Sequence, residues 1–313
     1  MIDRIVVPLD RSAQSEMAIP YATMLAGIFD ARVMYLYVVP EQEDLEIGSA
    51  DQYLTEIGER FSTGTGYRTA VRMGSAAEAI LDAAHDPGTM IVMATHGRGG
   101  LQRMLIGSVA DAVVRKATVP VALINVGGEL VPLTEPFHHI LVPLDGSQRS
   151  ESALPLALEL ARRCRAHVHL LQVVVPVSVG DIGYASDTSY LGPDAYAILM
   201  DDLERAAYDD LKSAVGDCER AGVPVSTHVR VGTPGDAIPR VAHDVIADLI
   251  VMATRGRGGA RRMVLGSIAT GLIQHSDLPL IVVPAGARLA IGGDDDACDA
   301  RDLHVTLKVS NRE

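Results

Sequence analysis

Short apolar runs alternate with amphipathic stretches along most of this chain, and the alternation predicts strands separated by helices. After the first apolar run, Arg11-Ser12 lead into one amphipathic helix that is predicted to extend to about Phe29. After the second run, an acidic loop and a short helix are predicted. Such alternation favours a parallel sheet covered by helices on both faces. Five strands are predicted in the first part of the chain, at Ile5–Leu9, Ala31–Val39, Tyr67–Met73, Met90–Ala94 and Val119–Asn125.

The pattern starts again after a segment rich in glycine, proline and charge. Residues Ile140–Ser147 repeat Ile5–Ser12, and later segments repeat in the same order. Extra residues of the second half fit a longer loop, Pro176–Pro193, and a longer helix, Asp194–Ala221. We therefore predict two tandem, doubly wound α/β domains, each a five-stranded parallel sheet with helices on both faces. The predicted division is domain 1 at 1–126, a linker at 127–136, domain 2 at 137–285 and an acidic tail at 286–313.

A segment rich in glycine and arginine follows the fourth strand of each half. Its copies, Met93–Ile124 and Met252–Val283, share one order: strand end, loop, Gly-Ser pair, helix and strand. Glycine lets the backbone approach a ligand closely, and the N–H groups at a helix N-terminus suit an anion. Serine hydroxyls can cap the helix or contact phosphate, and arginines can neutralise it. The alternative is a structural turn, but the duplication favours an anion or nucleotide site; the arginines are Arg98, Arg103, Arg257 and Arg262.

Two common phosphate-binding motifs do not fit this spacing. A P-loop requires lysine before its Ser or Thr, whereas Ile106 and Leu265 precede the Gly-Ser pairs. The dinucleotide fingerprint requires a third glycine where the sequence has Gln102 and Arg261.

An aspartate ends the first strand of each half, at Asp10 and Asp145. Ligands of open parallel sheets bind at the carboxyl ends of strands, where the strand order reverses. If the first and fourth strands are neighbours, each aspartate faces its glycine-rich loop and can accept hydrogen bonds from a ribose or a base. Capping of the next helix is an equally good interpretation of either aspartate alone.

The amino-acid composition excludes some classes of binding partner and cellular location. A net charge of −13 over 313 residues argues against nucleic acid or an anionic membrane as the main partner. No apolar run approaches about 20 residues, and the charged start of the chain does not resemble a signal peptide. The three cysteines are widely spaced and odd in number, which favours reduced thiols in a cytoplasmic protein. Their spacing does not match a metal-binding motif.

Several histidines are candidate metal ligands. His167 and His169 alternate on a predicted strand, so their side chains share one face, but a metal site needs a third ligand. We expect them on the surface or packed against a helix. His138 and His139 are predicted to point to opposite faces of an edge segment, and no role is assigned to them.

The duplicated residues resemble the universal stress protein family over about residues 1–126 and 137–285. Nucleotide-binding members of that family carry the motif Gly-x2-Gly-x9-Gly-Ser/Thr. Its second and third glycines match Gly97 with Gly107-Ser108, and Gly256 with Gly266-Ser267. Ala94 and Ala253 replace its first glycine, so each half adds a methyl group where backbone approaches ligand.

The resemblance implies the fold, the ligand and the site. It implies the strand order 3-2-1-4-5 and pairing of two domains through their fifth strands, which would be internal in a tandem chain, with a homodimer as a further option. It also implies binding of an adenine nucleotide, ATP or else AMP or ADP, with Mg²⁺ a further option. By position, the binding residues implied are Pro8, Asp10, Val38, Ala94, Gly97, Arg98, Gly107, Ser108 and Val109, and Pro143, Asp145, Val173, Ala253, Gly256, Arg257, Gly266, Ser267 and Ile268.

Three functions stay open at the level of sequence. A stress-response regulator would use nucleotide occupancy to change its conformation or its partners. A slow ATPase or autokinase would need a positioned general base, and beyond Ser108, Ser267 and the two aspartates we find none with a matching place in both halves. A nucleotide-free interaction scaffold would be consistent with Ala94 and Ala253. We predict the regulator, with no catalytic residue and no metal ligand in the protein.

Overall fold

Ten strands form one sheet that carries helices on both faces. The computed structural model describes residues 2–41, 47–61, 66–95, 106–125, 136–176, 193–254, 267–285 and 287. The α/β architecture predicted from the alternation of apolar and amphipathic segments is confirmed. Both glycine–arginine loops lie outside the described residues, as do the predicted linker and the acidic tail apart from Pro136 and Ala287, and residues 177–192 of the longer loop of the second half.

The two halves repeat one order of elements. The first half contains β1 Arg4–Leu9, α1 Ala13–Glu16, α2 Ala18–Phe29, β2 Arg32–Val39, α3 Ile47–Phe61, β3 Tyr67–Met73, α4 Ala76–Ala83, β4 Thr89–Ala94, α5 Ser108–Lys116 and β5 Val121–Ile124. The second contains β6 His139–Leu144, a 3-10 turn Ser150–Ala153, α6 Leu154–Cys164, β7 His167–Val174, α7 Pro193–Arg220, β8 Val225–Val231, α8 Pro234–Asp244, β9 Leu249–Ala253, α9 Ser267–His275 and β10 Leu280–Val283.

The strand order of the whole sheet is β3-β2-β1-β4-β5-β10-β9-β6-β7-β8, so each half has the order 3-2-1-4-5. All pairs within a half are parallel. The fifth strands of the two halves pair antiparallel, with Ile281 opposite Ala122. Central strands such as β4 are buried at every position, as expected when helices cover both faces.

The sheet separates two apolar cores. One core joins alternate residues of the strands, such as Ile5 and Val142, to α2, α3, α6 and α7. The other joins the intervening residues to α4, α5, α8 and α9. Cys164 and Cys218 are free and buried, and burial raises the pKa of each thiol, which favours the unreactive protonated form.

The first helix is not continuous, contrary to the sequence prediction. α1 ends at Glu16 and α2 begins at Ala18, with Met17 between them. Pro20 explains the break, because in one continuous helix its ring would clash with the carbonyl group of Glu16 and its missing N–H would leave that carbonyl unpaired. In the first turn of α2 proline is tolerated, because the N–H group that Pro20 lacks would have no intrahelical acceptor there.

Contacts between the halves extend beyond the paired fifth strands. The side-chain amide of Asn125 donates to the carbonyl oxygen of Ser276. On the other face, Arg163 of α6 donates to the carbonyl oxygen of Ile28 at 2.9 Å, and its guanidinium lies 5.7 Å from the ring centre of Phe29. These contacts tie α2 to α6 across the middle of the molecule.

Helix α8 is followed by Ile246, whose backbone conformation is unfavourable. Ala247 N–H donates to the carbonyl oxygen of Ala242 and Ile246 N–H to that of His243, the pair of bonds of a Schellman motif. Ile246 therefore takes a left-handed conformation at φ 52°, which L-residues with branched side chains adopt at a cost. Its side chain is 78% exposed, so packing offsets little of that cost.

Replacing Ile246 by glycine is expected to raise the free energy of unfolding by about 1 kcal/mol, because glycine adopts this conformation without steric strain. Urea or thermal unfolding would measure the gain. The matched control is Val245→Gly, one residue earlier at φ −95°, where glycine relieves no strain and is expected to destabilise. A loss of stability in Ile246→Gly would contradict the assignment of strain.

Among the described residues, no helix is long and apolar enough to cross a bilayer.

Candidate functional site

The first and fourth strands of each half separate before they end. Pairing of β1 with β4 stops at Val6 and Ile91, three residues before the last residue of either strand. In the second half, pairing of β6 with β9 stops at Leu141 and Ile250, again three residues early. Each half therefore has a crevice at the carboxyl ends of its strands, at the point where the strand order reverses.

One wall of the first crevice is a turn held by serines. Asp10 follows β1, and its Oδ1 accepts hydrogen bonds from the backbone N–H (3.0 Å) and the hydroxyl group of Ser12. Ser12 Oγ in turn accepts the N–H of Ser15 at 3.0 Å and caps α1. Ser15 Oγ donates to the carbonyl oxygen of Ser12 and accepts the N–H of Asp10. The cap is thus Ser12, and Asp10 orients it.

The second half repeats this network bond for bond. Asp145 Oδ1 accepts the N–H of Ser147 at 3.1 Å and its hydroxyl at 2.6 Å. Ser147 Oγ accepts the N–H of Ser150, and Ser150 Oγ bonds to the carbonyl oxygen of Ser147 and the N–H of Asp145. The spacing Asp-x-Ser-x-x-Ser, present in both halves, is the sequence signal that could have predicted this turn.

The turns differ at their second residue. Gly146 takes a left-handed conformation at φ 73°, and Arg11 takes the same conformation at φ 63° in the first half. Its guanidinium donates to Ser49 Oγ at 2.7 Å and lies 5.1 Å from the ring centre of Tyr37 and 5.8 Å from that of Tyr53. These contacts offset the backbone strain, so the arginine is held against α3.

Sequence reasoning missed this group around Arg11. The hydroxyl of Tyr53 donates to Glu16 at 2.8 Å. Burial raises the pKa of Tyr53, and the hydrogen bond to Glu16 raises it further. In the second half, Gln172 occupies the register position of Tyr37 and donates to Asp210 of α7 at 3.0 Å. The first crevice is therefore bordered by arginine and aromatic rings, and the second by glycine and an amide–carboxylate pair. These contacts come from side chains of α3 and α7, which are distant in sequence from Arg11 and Gln172.

The opposite wall is the N-terminus of α5 in the first half. Gly107 precedes the helix, and its N–H donates to the carbonyl oxygen of Thr95, directly after β4, at 2.7 Å. This bond fixes the start of α5 beside the end of β4. The first N–H groups of the helix have no intrahelical acceptor, and Ser108 is exposed while Val109 is half-buried. In the second half α9 begins at Ser267, and Ile268 is half-buried.

The remaining predicted residues lie around the same strand ends. Pro8 and Pro143 are the second-last residues of β1 and β6, where pairing with the fourth strand has ended and a missing N–H is tolerated. Val38 and Val173 lie one residue before the ends of β2 and β7 and are half-buried. Two further residues, the buried Ala94 and Ala253, end β4 and β9.

Part of the predicted site falls in the loops that follow β4 and β9. Gly97, Arg98, Gly256, Arg257 and Gly266 lie outside the described residues, as does the side chain of Ser267. The structure thus brings the aspartates, prolines, valines and alanines to the two crevices and places the start of α5 at the first.

Comparison with known proteins agrees with this geometry. The sequence model described as the universal stress protein family matches residues 1–125 and again 136–284, which is more than half of the chain. The chain belongs to the universal stress protein family. Both copies of the match contain the Asp-x-Ser-x-x-Ser turn and the Gly-Ser pair, so each half is a universal stress protein unit.

Several universal stress proteins align with more than half of the chain. A universal stress protein of Mycolicibacterium smegmatis is 26% identical over 300 residues, 89% of this chain and 96% of that protein. One from Mycobacterium tuberculosis is 32% identical over 196 residues, 62% of this chain and 61% of that protein. The crystal structure of a universal stress protein from Archaeoglobus fulgidus superposes with a TM-score of 0.63 over 91% of this chain and 97% of that chain, at 22% identity, which shows the fold alone.

Proposed function

We propose that this universal stress protein binds an adenine nucleotide, ATP or else ADP or AMP, in each of its two crevices. Occupancy would then change the conformation of the chain or its choice of partner during stress. The observation that carries the proposal is the duplicated crevice itself. In each half, the first strand separates from the fourth, and an aspartate follows the first strand.

The two sides of a crevice suit the two ends of a nucleotide. Asp10 and Asp145 bring carboxylate groups to the crevices, and each carboxylate oxygen can accept more than one hydrogen bond, including bonds from ribose hydroxyl groups. The start of α5 offers backbone N–H groups and the positive end of a helix dipole to phosphate.

The roles proposed for individual residues follow from these positions. Val38 and Val173 would contact the base through their backbone, beside Pro8 and Pro143. Phosphate would lie against the loop and helix start after the fourth strand, formed by Ala94, Gly97, Arg98, Gly107, Ser108 and Val109 in one half and Ala253, Gly256, Arg257, Gly266, Ser267 and Ile268 in the other. Mg²⁺, where present, would be held chiefly by phosphate oxygens and water.

Binding without turnover is favoured by the surroundings of the aspartates. Phosphoryl transfer needs an acceptor of protons aligned with the attacking group. In the described part of both crevices, each aspartate is committed to orienting a serine that caps a helix or turn. We therefore propose a regulator, not an ATPase, acting in the cytoplasm.

The same proposal includes the organisation of the chain. Two domains, 1–126 and 137–285, would be joined by a linker at 127–136 and would pair internally through β5 and β10. The antiparallel pairs from Leu123 with Leu280 to Val121 with Val282 support this arrangement. The acidic tail at 286–313 would lie outside both domains. Because β5 is already paired in this way, a homodimer would have to use another surface.

Chromatography of the supernatant after denaturing the purified chain tests the proposal first. We expect adenine nucleotide to be released, and the emptied protein to bind ATP with a stoichiometry of up to two in isothermal titration calorimetry. GTP serves as the matched control for recognition of the base. Absence of both released nucleotide and measurable binding of ATP, ADP or AMP would favour the nucleotide-free scaffold.

A further inference from the structure

Four histidines from three neighbouring strands meet on one face of the second half, and we call them the histidine cluster: His139 of β6, His167 and His169 of β7, and His228 of β8. His139 is opposite His167 in the register of β6 and β7. The expectation that His139 lies on an edge segment was wrong, because β6 lies between β9 and β7. The alternation of His167 and His169 along β7 did not predict that the imidazoles of His139 and His228 would join them.

Three rings of the cluster form a chain. His139 Nδ1 lies 3.1 Å from His169 Nε2, and His169 Nδ1 lies 3.2 Å from His228 Nε2. His167 stacks beside them with its ring centre 4.6 Å from that of His169, and its Nε2 contacts Ser226 Oγ at 2.8 Å. His169, at the centre, is 8% exposed.

This chain limits how many protons the cluster can hold. Each N···N contact needs one N–H and one lone pair, and a neutral imidazole has one of each, whereas an imidazolium has two N–H groups and no acceptor. The three rings can therefore take one extra proton and keep both contacts. A second extra proton forces one N–H group to face another. Repulsion between charged rings at 4.6–5.4 Å adds to that conflict.

Groups on the surrounding elements act in both directions. Arg230 on β8 opposes a positive charge on His228, and Asp244 at the end of α8 favours it. Asp248, before β9, accepts the backbone N–H groups of His138 and His139 at 2.6 and 3.1 Å. Burial raises the pKa of Asp248, so this carboxyl gains a proton on acidification more readily in the folded chain and works against the cluster. Arg240 of α8 lies with Arg230 and Asp244 around one surface pocket and adds positive charge to this side.

The first half has no imidazole at the equivalent register positions. Arg4 pairs with Arg32 where His139 pairs with His167, and Met34 stands where His169 stands. Arg4 forms an ion pair with Asp86 at 2.8 Å. The equivalent register positions of the first half therefore hold no counterpart of the histidine cluster.

We propose that the histidine cluster is a proton-responsive element, and that acidification below about pH 6 loosens β6, β7 and β8 while β1, β2 and β3 stay ordered. The cluster acts as a sensor of cytoplasmic acidification that is built into one half only. A metal site is the other chemistry that imidazoles suggest. Among the described residues, however, no three His, Cys, Asp or Glu side chains converge as ligands.

The direction of the effect follows from linkage. Burial and the neighbouring imidazoles lower the pKa of His169 from 6.5 to about 4, and burial lowers those of His167 and His228. Between pH 6.5 and about 4 the unfolded chain therefore binds more protons than the folded chain. The stability that these histidines contribute is present above pH 6.5 and is lost as the pH falls toward 4. For His169 alone, the folding equilibrium constant at pH 5.5 is expected to be about tenfold lower than at pH 7.5.

Hydrogen–deuterium exchange of the full chain at pH 7.5 and 5.5, corrected for the intrinsic exchange rates and run with EDTA, tests the proposal. We expect protection of β6–β8 to fall by about tenfold or more at pH 5.5, and protection of β1–β3 to change little. His169→Met and His228→Ala copy the first-half residues Met34 and Ala70 and should remove the difference. His85→Asn, at an exposed histidine of the first half, is the matched control and should keep it.

Three results would overturn the proposal. The first is an unchanged pH response in both His169→Met and His228→Ala; the second variant changes a half-buried side chain and keeps the test informative if the first does not fold. The second is an equal response of β1–β3 and β6–β8. The third is a rise in the thermal midpoint on adding Zn²⁺ that His169→Met abolishes, which would assign the cluster to a metal instead.

Discussion

Replacing Asp10 and Asp145 by alanine is expected to lower the affinity for adenine nucleotide by about 10- to 100-fold at each crevice. The estimate corresponds to one lost hydrogen bond that involves a charged group. Asp10→Ala should affect one of two binding events and Asp145→Ala the other, because the aspartates belong to separate crevices. Isothermal titration of ATP into the nucleotide-free single and double variants measures both constants.

The serines of the same turns provide the control. Ser12→Ala and Ser147→Ala remove the hydroxyl groups that Asp10 and Asp145 orient, and should cost about 1 kcal/mol of stability, as for the loss of a helix cap. The carboxylates remain, so nucleotide affinity should fall far less than in the aspartate variants. Equal losses in the two sets would mean that the aspartates act only by shaping the turn.

Ile281→Ala is expected to lower the free energy of unfolding by about 2–5 kcal/mol. Ile281 is 1% exposed in the middle of β10, opposite Ala122 of β5 and beside Val251 of β9. Truncation leaves two alanines facing each other across the line where the halves meet, and neighbouring strands cannot close the gap without breaking their register. Urea unfolding gives the free energy, and hydrogen exchange in β5 and β10 locates the loss.

Ile198→Ala is the matched control, because the same side chain is 63% exposed on α7. That variant should change the free energy of unfolding by less than about 0.5 kcal/mol. Similar losses in the two variants would show that the line between the halves is not tightly packed and that the halves are stabilised independently.

The sequence predicted the elements well where the apolar pattern was strong. The repeated runs predicted both copies of the strand–helix alternation because a strand buried on both faces is largely apolar, as in Met90–Ala94 of β4. The pattern failed at Met17, where a single proline outweighs an otherwise continuous helical period. Local backbone sterics, which apolar periodicity does not encode, decided that break.

The candidate site could be predicted only as far as its residues are close in sequence. Asp10 and Asp145 were identified from their place after the first strand, and their turns are local structures that Ser12 and Ser147 complete. Tyr53 and Asp210 were missed because they reach the crevices from helices whose rotation about the axis is set by packing, not by local pattern. The histidine cluster was missed for the same reason: strand register brings together residues up to 89 positions apart, from His139 to His228.

The antiparallel pairing of β5 with β10 reverses the strand direction from one half to the other. The carboxyl ends of β1 and β4 therefore point away from those of β6 and β9, and the two crevices open at opposite rims of the sheet. If nucleotides bind as proposed, a partner docked on one rim would contact one ligand directly. Occupancy of the other crevice would have to be transmitted through the paired strands β5 and β10, where the two occupancy signals would be combined.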